Sequence, residues 1–394
     1  PGRGYDDIPA AYTSKNTGLF LQDNWMVNYN LSLMLGVRVD IPKFDQEPLF
    51  NQTILDMYGY DNRNTIDKKL WQPRFGFNYT FDTERSTQLR GGVGLFQGAA
   101  PNVWLAGAFQ NTGLNFVAYD LRNPGAVFTP GVNPPLIPTN LPGGTPRLRV
   151  DLMEPGLALP SVWKANLAFD HELPWHGIVA SAELLLLNTK NDIYMDALDL
   201  GAPTWQGQDG RMIYWNAAGR NRANAHPNGT GIHRPNNIDQ VIVARNTKKG
   251  DSKQLTLSLS KPMQAEDNWS WMVGYTYTDA GQVSPMASSQ NTSNWNGTTI
   301  FQVNENVAYN SRYAIRDRFT GVLTYSKAFF GDNDTSFGLF YEGRSGLPFS
   351  YIYYNDINGD GANTNDLFYV PAGRGDVIFT GGEQMENDFF EWLA

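Results

Sequence analysis

Leu31-Ser-Leu-Met-Leu-Gly-Val-Arg-Val-Asp40 alternates without a break. Leu31, Leu33, Leu35, Val37 and Val39 fall on one face of an extended chain, and Ser32, Met34, Gly36, Arg38 and Asp40 on the other. A period of two sustained over this length marks a β-strand with one apolar face. The same period returns in Phe75-Gly-Phe-Asn-Tyr-Thr-Phe-Asp82, in Leu255-Thr-Leu-Ser-Leu-Ser260, in Trp271-Met-Val-Gly-Tyr-Thr-Tyr-Thr278, and at Phe337, Leu339 and Tyr341. Less regular versions occupy residues 89–95, 165–173, 178–187 and 319–325, giving about ten strands able to cross a membrane.

The connections between these strands alternate in length. Short polar links follow at Asn28-Tyr-Asn30, Asp82-Thr-Glu-Arg-Ser86, Glu172-Leu-Pro-Trp-His-Gly177, Gln264-Ala-Glu-Asp-Asn268 and Gly331-Asp-Asn-Asp334. Between the pairs lie long segments rich in Gly, Asn, Pro and Ser: residues 41–72, 99–160, 201–236, 281–313 and 355 onward. The Pro-rich run 124–160 is read as the second half of one such loop, because barrel-like strands flank it. A soluble sandwich has no reason to keep its long loops at one end, whereas outer-membrane barrels combine tight periplasmic turns with long extracellular loops. The fold class expected is therefore all-β, part of a large antiparallel transmembrane β-barrel in the bacterial cell outer membrane. Trp25, Trp175, Trp269, Trp271, Phe329 and Phe330 lie near the short turns, where an interfacial aromatic girdle belongs. The turns at Asn28, Thr83, Trp175, Glu266 and Asp332 are expected to face the periplasm, and the loops around Tyr58, Pro135, Asn221 and Asn294 the outside.

Composition agrees. Of 394 residues only 18% are charged, with 30 Lys+Arg against 39 Asp+Glu and a net charge of −9, which excludes a basic nucleic-acid module and a disordered tail. Aromatics reach 13% among 39 glycines, a mixture suited to short Gly-punctuated strands. No stretch approaches the roughly 18 consecutive apolar residues of a membrane helix, so insertion must use strands. Only one strand face need be apolar, so a mean hydropathy of −0.41 is compatible with embedding. The absence of cysteine suits an oxidising compartment and leaves any metal to oxygen or imidazole ligands. No targeting signal is read at Pro1-Gly2-Arg3, and the chain is expected to be a piece of something longer.

Particular words then become recognisable. Leu19-Phe-Leu-Gln-Asp-Asn-Trp25 followed by Asn30-Leu-Ser-Leu-Met-Leu-Gly-Val-Arg-Val-Asp40 resembles a strand pair of TonB-dependent outer-membrane receptors, and Gln72-Pro-Arg-Phe-Gly-Phe77 with Leu89-Arg-Gly-Gly-Val-Gly-Leu-Phe96 resembles the next. Pro160-Ser-Val-Trp-Lys-Ala-Asn166, Ser345-Gly-Leu-Pro-Phe349, and Asp356-Ile-Asn-Gly-Asp-Gly361 followed by Asn365-Asp-Leu-Phe-Tyr-Val-Pro371 are similar to the Oar-like subgroup. The resemblance implies a barrel of about 22 strands, plugged by an N-terminal domain and driven by the inner-membrane TonB complex. It implies residues 1–394 to be a partial barrel domain, without plug or C-terminal strands. Its partners would be outer-membrane lipid, TonB through the missing part, and a large solute carried by energised movement; nucleic acid is not among them. A passive porin-like or adhesive barrel, or a secreted soluble all-β binding protein or glycosidase, remain the alternatives.

Catalytic chemistry is not legible. No nucleophile elbow, Walker loop or paired zinc motif occurs, and Gly91-Gly-Val-Gly94 is not followed by a helix to cradle phosphate; its glycines read as positions where no side chain fits. His226 and His233 share one loop without a third ligand, against a transition-metal site. Trp205, Arg211, Trp215, Arg220 and Arg222, with Tyr214 and Arg234, form the one locally basic, aromatic segment: either a recognition loop for an anionic or glycan-like solute, or a loop packed on itself. Arg38, Asp40, Arg90 and Glu342 read as barrel-wall charge pairs or plug contacts. Asp356-Ile-Asn-Gly-Asp-Gly361 sets oxygen side chains at alternate positions before a glycine, as a Ca²⁺ loop does. Asp356, Asn358, Asp360 and Asp366 are the candidate ligands, with an amide oxygen from Asn363 or Asn365. The competing reading is a turn whose Asn and Asp side chains cap their own backbone.

Overall fold

The computed structural model describes residues 11–99, 101–114, 148–215, 238–264 and 267–394. Among the described residues fifteen strands are formed. Ten make one continuous sheet: β1 (Ser14–Met26), β2 (Leu31–Phe44), β3 (Leu70–Thr80), β4 (Thr87–Gln97), β6 (Ser161–Glu172), β7 (Val179–Ala197), β11 (Asp251–Lys261), β12 (Trp269–Gln282), β14 (Asp317–Phe330) and β15 (Asn333–Arg344), in that spatial order. Each is antiparallel to the next. The short strands β5 (Leu148–Met153), β8 (Trp205–Gln206), β9 (Met212–Ile213), β10 (Ile238–Thr247) and β13 (Tyr309–Asn310) lie in the long connections. So do the helices α1 (Gln52–Tyr58), α2 (Asn102–Gln110), α3 (Asn291–Asn296) and α4 (Gly382–Leu393).

Register explains why alternation was so regular. Leu35 on β2 stands opposite Phe75 on β3, Phe75 opposite Val93 on β4, and Val93 opposite Ala165 on β6. Farther along, Leu257 opposes Tyr275, Tyr275 opposes Phe319, and Leu323 opposes Leu339. Directly opposed residues share a face, so these rows form one apolar surface. Leu33, Leu35, Phe77, Leu257 and Val273 belong to it, while Ser32, Asn78, Ser258 and Gly274 belong to the other face. Among the described residues large side chains stand open on this face: Leu35 and Leu257 are exposed, and Phe337, Leu339 and Tyr341 more than 60% so. Large side chains left that open need a nonaqueous neighbour, and the hydrocarbon of a bilayer supplies it. Trp25, Trp175, Trp269, Phe329 and Phe330 are exposed beside the short turns, as the girdle requires, while Trp271 is half-buried.

The turns are tight for identifiable reasons. Asn28 Oδ1 accepts from the amides of Asn30 and Leu31, both at 2.9 Å, and closes β1 onto β2. His176 and Gly177 both adopt positive φ, as a hairpin turn matched to strand twist demands. In the sheet itself, a Cβ on Gly91 would lie 2.7 Å from the Asn166 carbonyl, and one on Gly92 2.7 Å from that of Phe75. The glycine run of β4 is therefore steric, not a phosphate cradle.

Chain contacts divide the molecule into two units, the larger comprising residues 1–201, 234–298 and 304–349. Within it, the long connections are not the featureless loops expected from sequence. β7 outruns its pairing with β11 and continues beside β10, Ile193 opposite Asn246 and Ala197 opposite Ile242. β10 pairs in parallel with β5 on its other side. Val150, Leu152, Val241 and Val243 pack there with Ile54 of α1 in a fully buried cluster, a soluble-type core attached to a membrane-type sheet. α1 is fixed by Asn51, whose side chain accepts from the amides of Thr53 and Ile54, and ends at Gly59 with φ of 69°. Asn294, expected in an exposed loop, is buried in α3, its amide exchanging bonds with the Ser288 backbone. The second unit comprises residues 202–233, 299–303 and 350–394. Pro135, Asn221 and Glu266 lie outside the described residues.

Candidate functional site

The second unit contains a buried polar cluster at residues 356–366, and its backbone is held by its own side chains. Asp356 Oδ1 accepts from the Gly359 amide at 2.6 Å and Oδ2 from that of Gly361 at 2.9 Å. Asn358 Oδ1 accepts from the Asp360 amide at 2.8 Å, and Asp360 Oδ1 from that of Ala362 at 2.7 Å. These nested turns need left-handed backbone at Gly359 and Gly361, with φ of 79° and 90°. At Gly359 the Trp215 backbone and indole leave no space for a Cβ. The Trp215 ring donates from Nε1 to the Ile357 carbonyl at 3.3 Å, and the Tyr214 amide to that of Asn358 at 2.6 Å.

The far end of the loop returns to the same cluster. Asn365 Nδ2 donates to Asp360 Oδ2 at 2.9 Å, beside a longer donation from Asn358 at 3.3 Å. The Asn365 side chain is 1% exposed, and its Oδ1 has no hydrogen-bond partner. Asp366 points elsewhere: Oδ1 accepts from Arg211 Nη1 at 2.7 Å and Oδ2 from the Ile357 amide at 3.0 Å. Arg211 is 1% exposed, donates also to the Leu367 carbonyl and, at 3.2 Å, to Asp209, and lies over the rings of Phe301 and Tyr353. Ile300 bridges to Asp366 and Ile352 to Leu367, holding this strand-like return between two neighbours.

Burial dominates the electrostatics. It pushes the Asp356 carboxyl up to about 8, aided by the negative charge of Asp360, and the Asp360 carboxyl up to about 6 against the opposing Ala362 amide. Asp366 is raised by burial too, with the Ile357 amide and Arg211 pulling it back. Among the described residues no three His, Asp or Glu side chains form a ready-made metal cage. Both oxygens of Asp356 and of Asp366 carry donors, so the loop as folded is first a self-capping turn.

The residues singled out from sequence thus separate. Asp356, Asn358, Asp360 and Asp366 are buried in one loop. Arg211 and Trp215 are buried against that same loop and do not present their polar groups to solvent; Trp205 pairs with Ile213 in the β8–β9 hairpin. Arg220, Arg222, Arg234, His226 and His233 lie outside the described residues. Sequence reasoning missed the Arg211–Asp366 pair, since 155 positions separate its partners. On the polar face of the sheet, Arg38 grips Asp40 with two bonds of 2.8 and 2.7 Å, and Gln72 donates to Asp40. Arg90 meets Asp170 at 3.1 Å, and Arg318 meets Glu342 at 2.8 Å. These are the wall charge pairs expected.

A family model described as "outer membrane beta barrel domain" matches residues 2–384. No curated protein sequence matches. Solved structures similar to this chain include a mutant of the ferric enterobactin receptor PfeA from Pseudomonas aeruginosa, at 14% identity and a TM-score of 0.44 over 91% of this chain and 35% of that one. The siderophore receptor PirA from the same organism has 14% identity and a TM-score of 0.39 over 84% and 40%. The outer membrane transporter YddB from Escherichia coli has 10% and 0.41 over 79% and 31%. The chain spans less than half the length of each of these structures.

Proposed function

The chain belongs to the outer membrane β-barrel domain family, and from that membership we propose that it is part of the barrel of a TonB-dependent receptor of the Oar-like subgroup, engaged in energised movement of a large solute. Its place is the bacterial outer membrane, with the apolar face of the ten-strand sheet toward lipid and the polar face toward the lumen.

The observation that supports the finer reading is the first hairpin. The words Gln22-Asp-Asn-Trp25 and Gly36-Val-Arg-Val-Asp40, on which the resemblance rests, lie on β1 and β2, with Gln22 opposite Gly36 and Gly18 opposite Asp40. A Cβ on Gly18 would collide with the Arg38 guanidinium, so the missing side chain leaves the Arg38–Asp40 pair lying across the strand. The pair faces the lumen, where a plug would sit. Buried or half-buried charges in a barrel interior persist when partnered, and this one is doubly bonded within β2 itself.

Two measurements on the full-length protein test the reading. Reconstituted in planar bilayers, a plugged receptor holds no steady ion conductance, and its binding of the purified periplasmic domain of TonB is saturable. A steady open channel without TonB binding would favour the passive porin. No conductance and no TonB binding would favour the adhesive barrel.

A further inference from the structure

We propose that Asp356, Asn358, Asp360 and Asn365 form a calcium site. The inference does not rest on the transport reading. The spacing of Asp356, Asn358 and Asp360 brings alternate oxygen side chains inward together, and Gly361 at φ of 90° makes the bend that follows. Those features alone describe a self-capping turn. Asn365 adds what the turn does not explain: its Oδ1 is buried without a partner, on an amide that already touches Asp360.

A buried amide oxygen left unpaired is costly, and nothing in the turn needs it there. The amide nitrogen now faces Asp360, and the half-turn that exchanges nitrogen and oxygen would bring that oxygen to a cation beside Asp360. Asp356 retains capacity as well. Each ionised oxygen has about two acceptor positions, and the backbone amides of Gly359 and Gly361 occupy one on each oxygen of Asp356. Among the described residues Asp356 makes no ion pair, although it is 2% exposed. An all-oxygen set with neither thiolate nor imidazole suits a hard cation. An irregular loop able to add carbonyl oxygens suits Ca²⁺ better than Mg²⁺, which demands a near-ideal octahedron. Asp366 is not assigned as a ligand, in contrast to the expectation from spacing, because Arg211 and the Ile357 amide hold its oxygens. It positions the loop instead. With two carboxylates, affinity should fall in the range of about 10⁻⁴ to 10⁻³ M found for extracellular modules.

Trp215 supplies a local reporter, since its indole packs on Gly359. In the full-length protein in detergent, Tb³⁺ added alone should give saturable emission on tryptophan excitation. Ca²⁺ should displace it in the range above, and Mg²⁺ at equal concentration should not. Trp215→Phe should remove most of the emission. Asp356→Asn with Asp360→Asn should weaken Ca²⁺ binding at least about tenfold. Asn365→Asp, which adds a charge while keeping the shape, should tighten it, and this variant serves if the double substitution fails to fold. Absence of saturable emission, emission undiminished in the double variant, or binding not tightened by Asn365→Asp would overturn the site.

Discussion

The sheet and the loop at residues 356–366 invert each other. On β15, Phe337, Leu339 and Tyr341 stand open, while in the loop Asp356, Asp360 and Asp366 are at most 2% exposed. An ordinary soluble domain would do the reverse in both places. In the sheet, backbone bonds are satisfied by neighbouring strands and the side chains are left to the lipid, so its stability is lent by the membrane. In the loop, the side chains satisfy the backbone, and carboxylates are hidden because they have become part of the main-chain bonding. Polarity follows the solvent in the first region and hydrogen-bond accounting in the second.

The largest expected effect comes from breaking the loop's buried pair. Arg211→Ala leaves Asp366 without its guanidinium, and removal of one partner of a buried pair costs about 3 to 5 kcal/mol. Limited proteolysis should then cut near residues 356–367 while the sheet stays protected; an unchanged digestion pattern would show that the pair contributes little. In the sheet, Leu257→Arg places a charge on the lipid face, at about 2 to 4 kcal/mol near the bilayer midplane, whereas Ser258→Arg turns into the lumen at much less. The folded fraction in outer membranes, read by heat-modifiable gel mobility, should fall for the first and hold for the second. Equal tolerance would remove the distinction between the faces.

A third test asks whether buried carboxylates behave alike in the larger unit. Burial pushes Asp151 up to about 6, opposed by the Asn111 amide, whose Nδ2 donates to it at 2.8 Å. Because its folded value lies above the unfolded one, its stabilisation is complete below about pH 4 and is lost as pH rises through about 6. Asp151→Asn should therefore flatten the pH dependence of loop protection in hydrogen exchange and stabilise at pH 7 by up to roughly 3 kcal/mol. A stability rising between pH 4 and 6, and lowered by the substitution, would reverse the sign. The smallest perturbation is topological: cysteine at exposed Ser289 should react with an impermeant label on intact cells, and cysteine at Asp332 only after permeabilisation. The opposite pattern would invert the barrel.

How far the sequence could be read follows from the same contrast. Nine of the ten sheet strands are legible by alternation, because lipid on one side forces a period of two that no neighbour can disguise, while β1 shows only through the resemblance of Gln22-Asp-Asn-Trp25 and the turn at Asn28. The β5–β10 pair was not. Val241-Ile-Val-Ala244 is a short continuous apolar run, as parallel buried strands give, but its partner Val150 lies behind a Pro-rich stretch and nothing local joins them. The loop motif was legible as chemistry, but not its closure: Asp366 was read as a ligand until Arg211 came to it from a remote hairpin. The loop around Asn294 reads as extracellular, but Asn294 itself is buried on a short helix whose packing no local pattern announces.

The parallel pairing of β5 with β10 also bears on time. Val150 and Val241 meet across about ninety intervening residues, and β10 also pairs with the extension of β7 on its other side. Contacts between distant segments bear a loop-closure penalty before they return any stabilisation, which makes parallel, non-local pairing slow. The hairpins β1–β2, β3–β4, β6–β7, β11–β12 and β14–β15 close through turns of a few residues and face no such delay. The rim cluster of Ile54, Val150, Leu152, Val241 and Val243 should therefore be among the last parts to consolidate. Folding would then pass through an interval in which the hairpins are formed while the segments around Val150 and Val241 are still protease-sensitive.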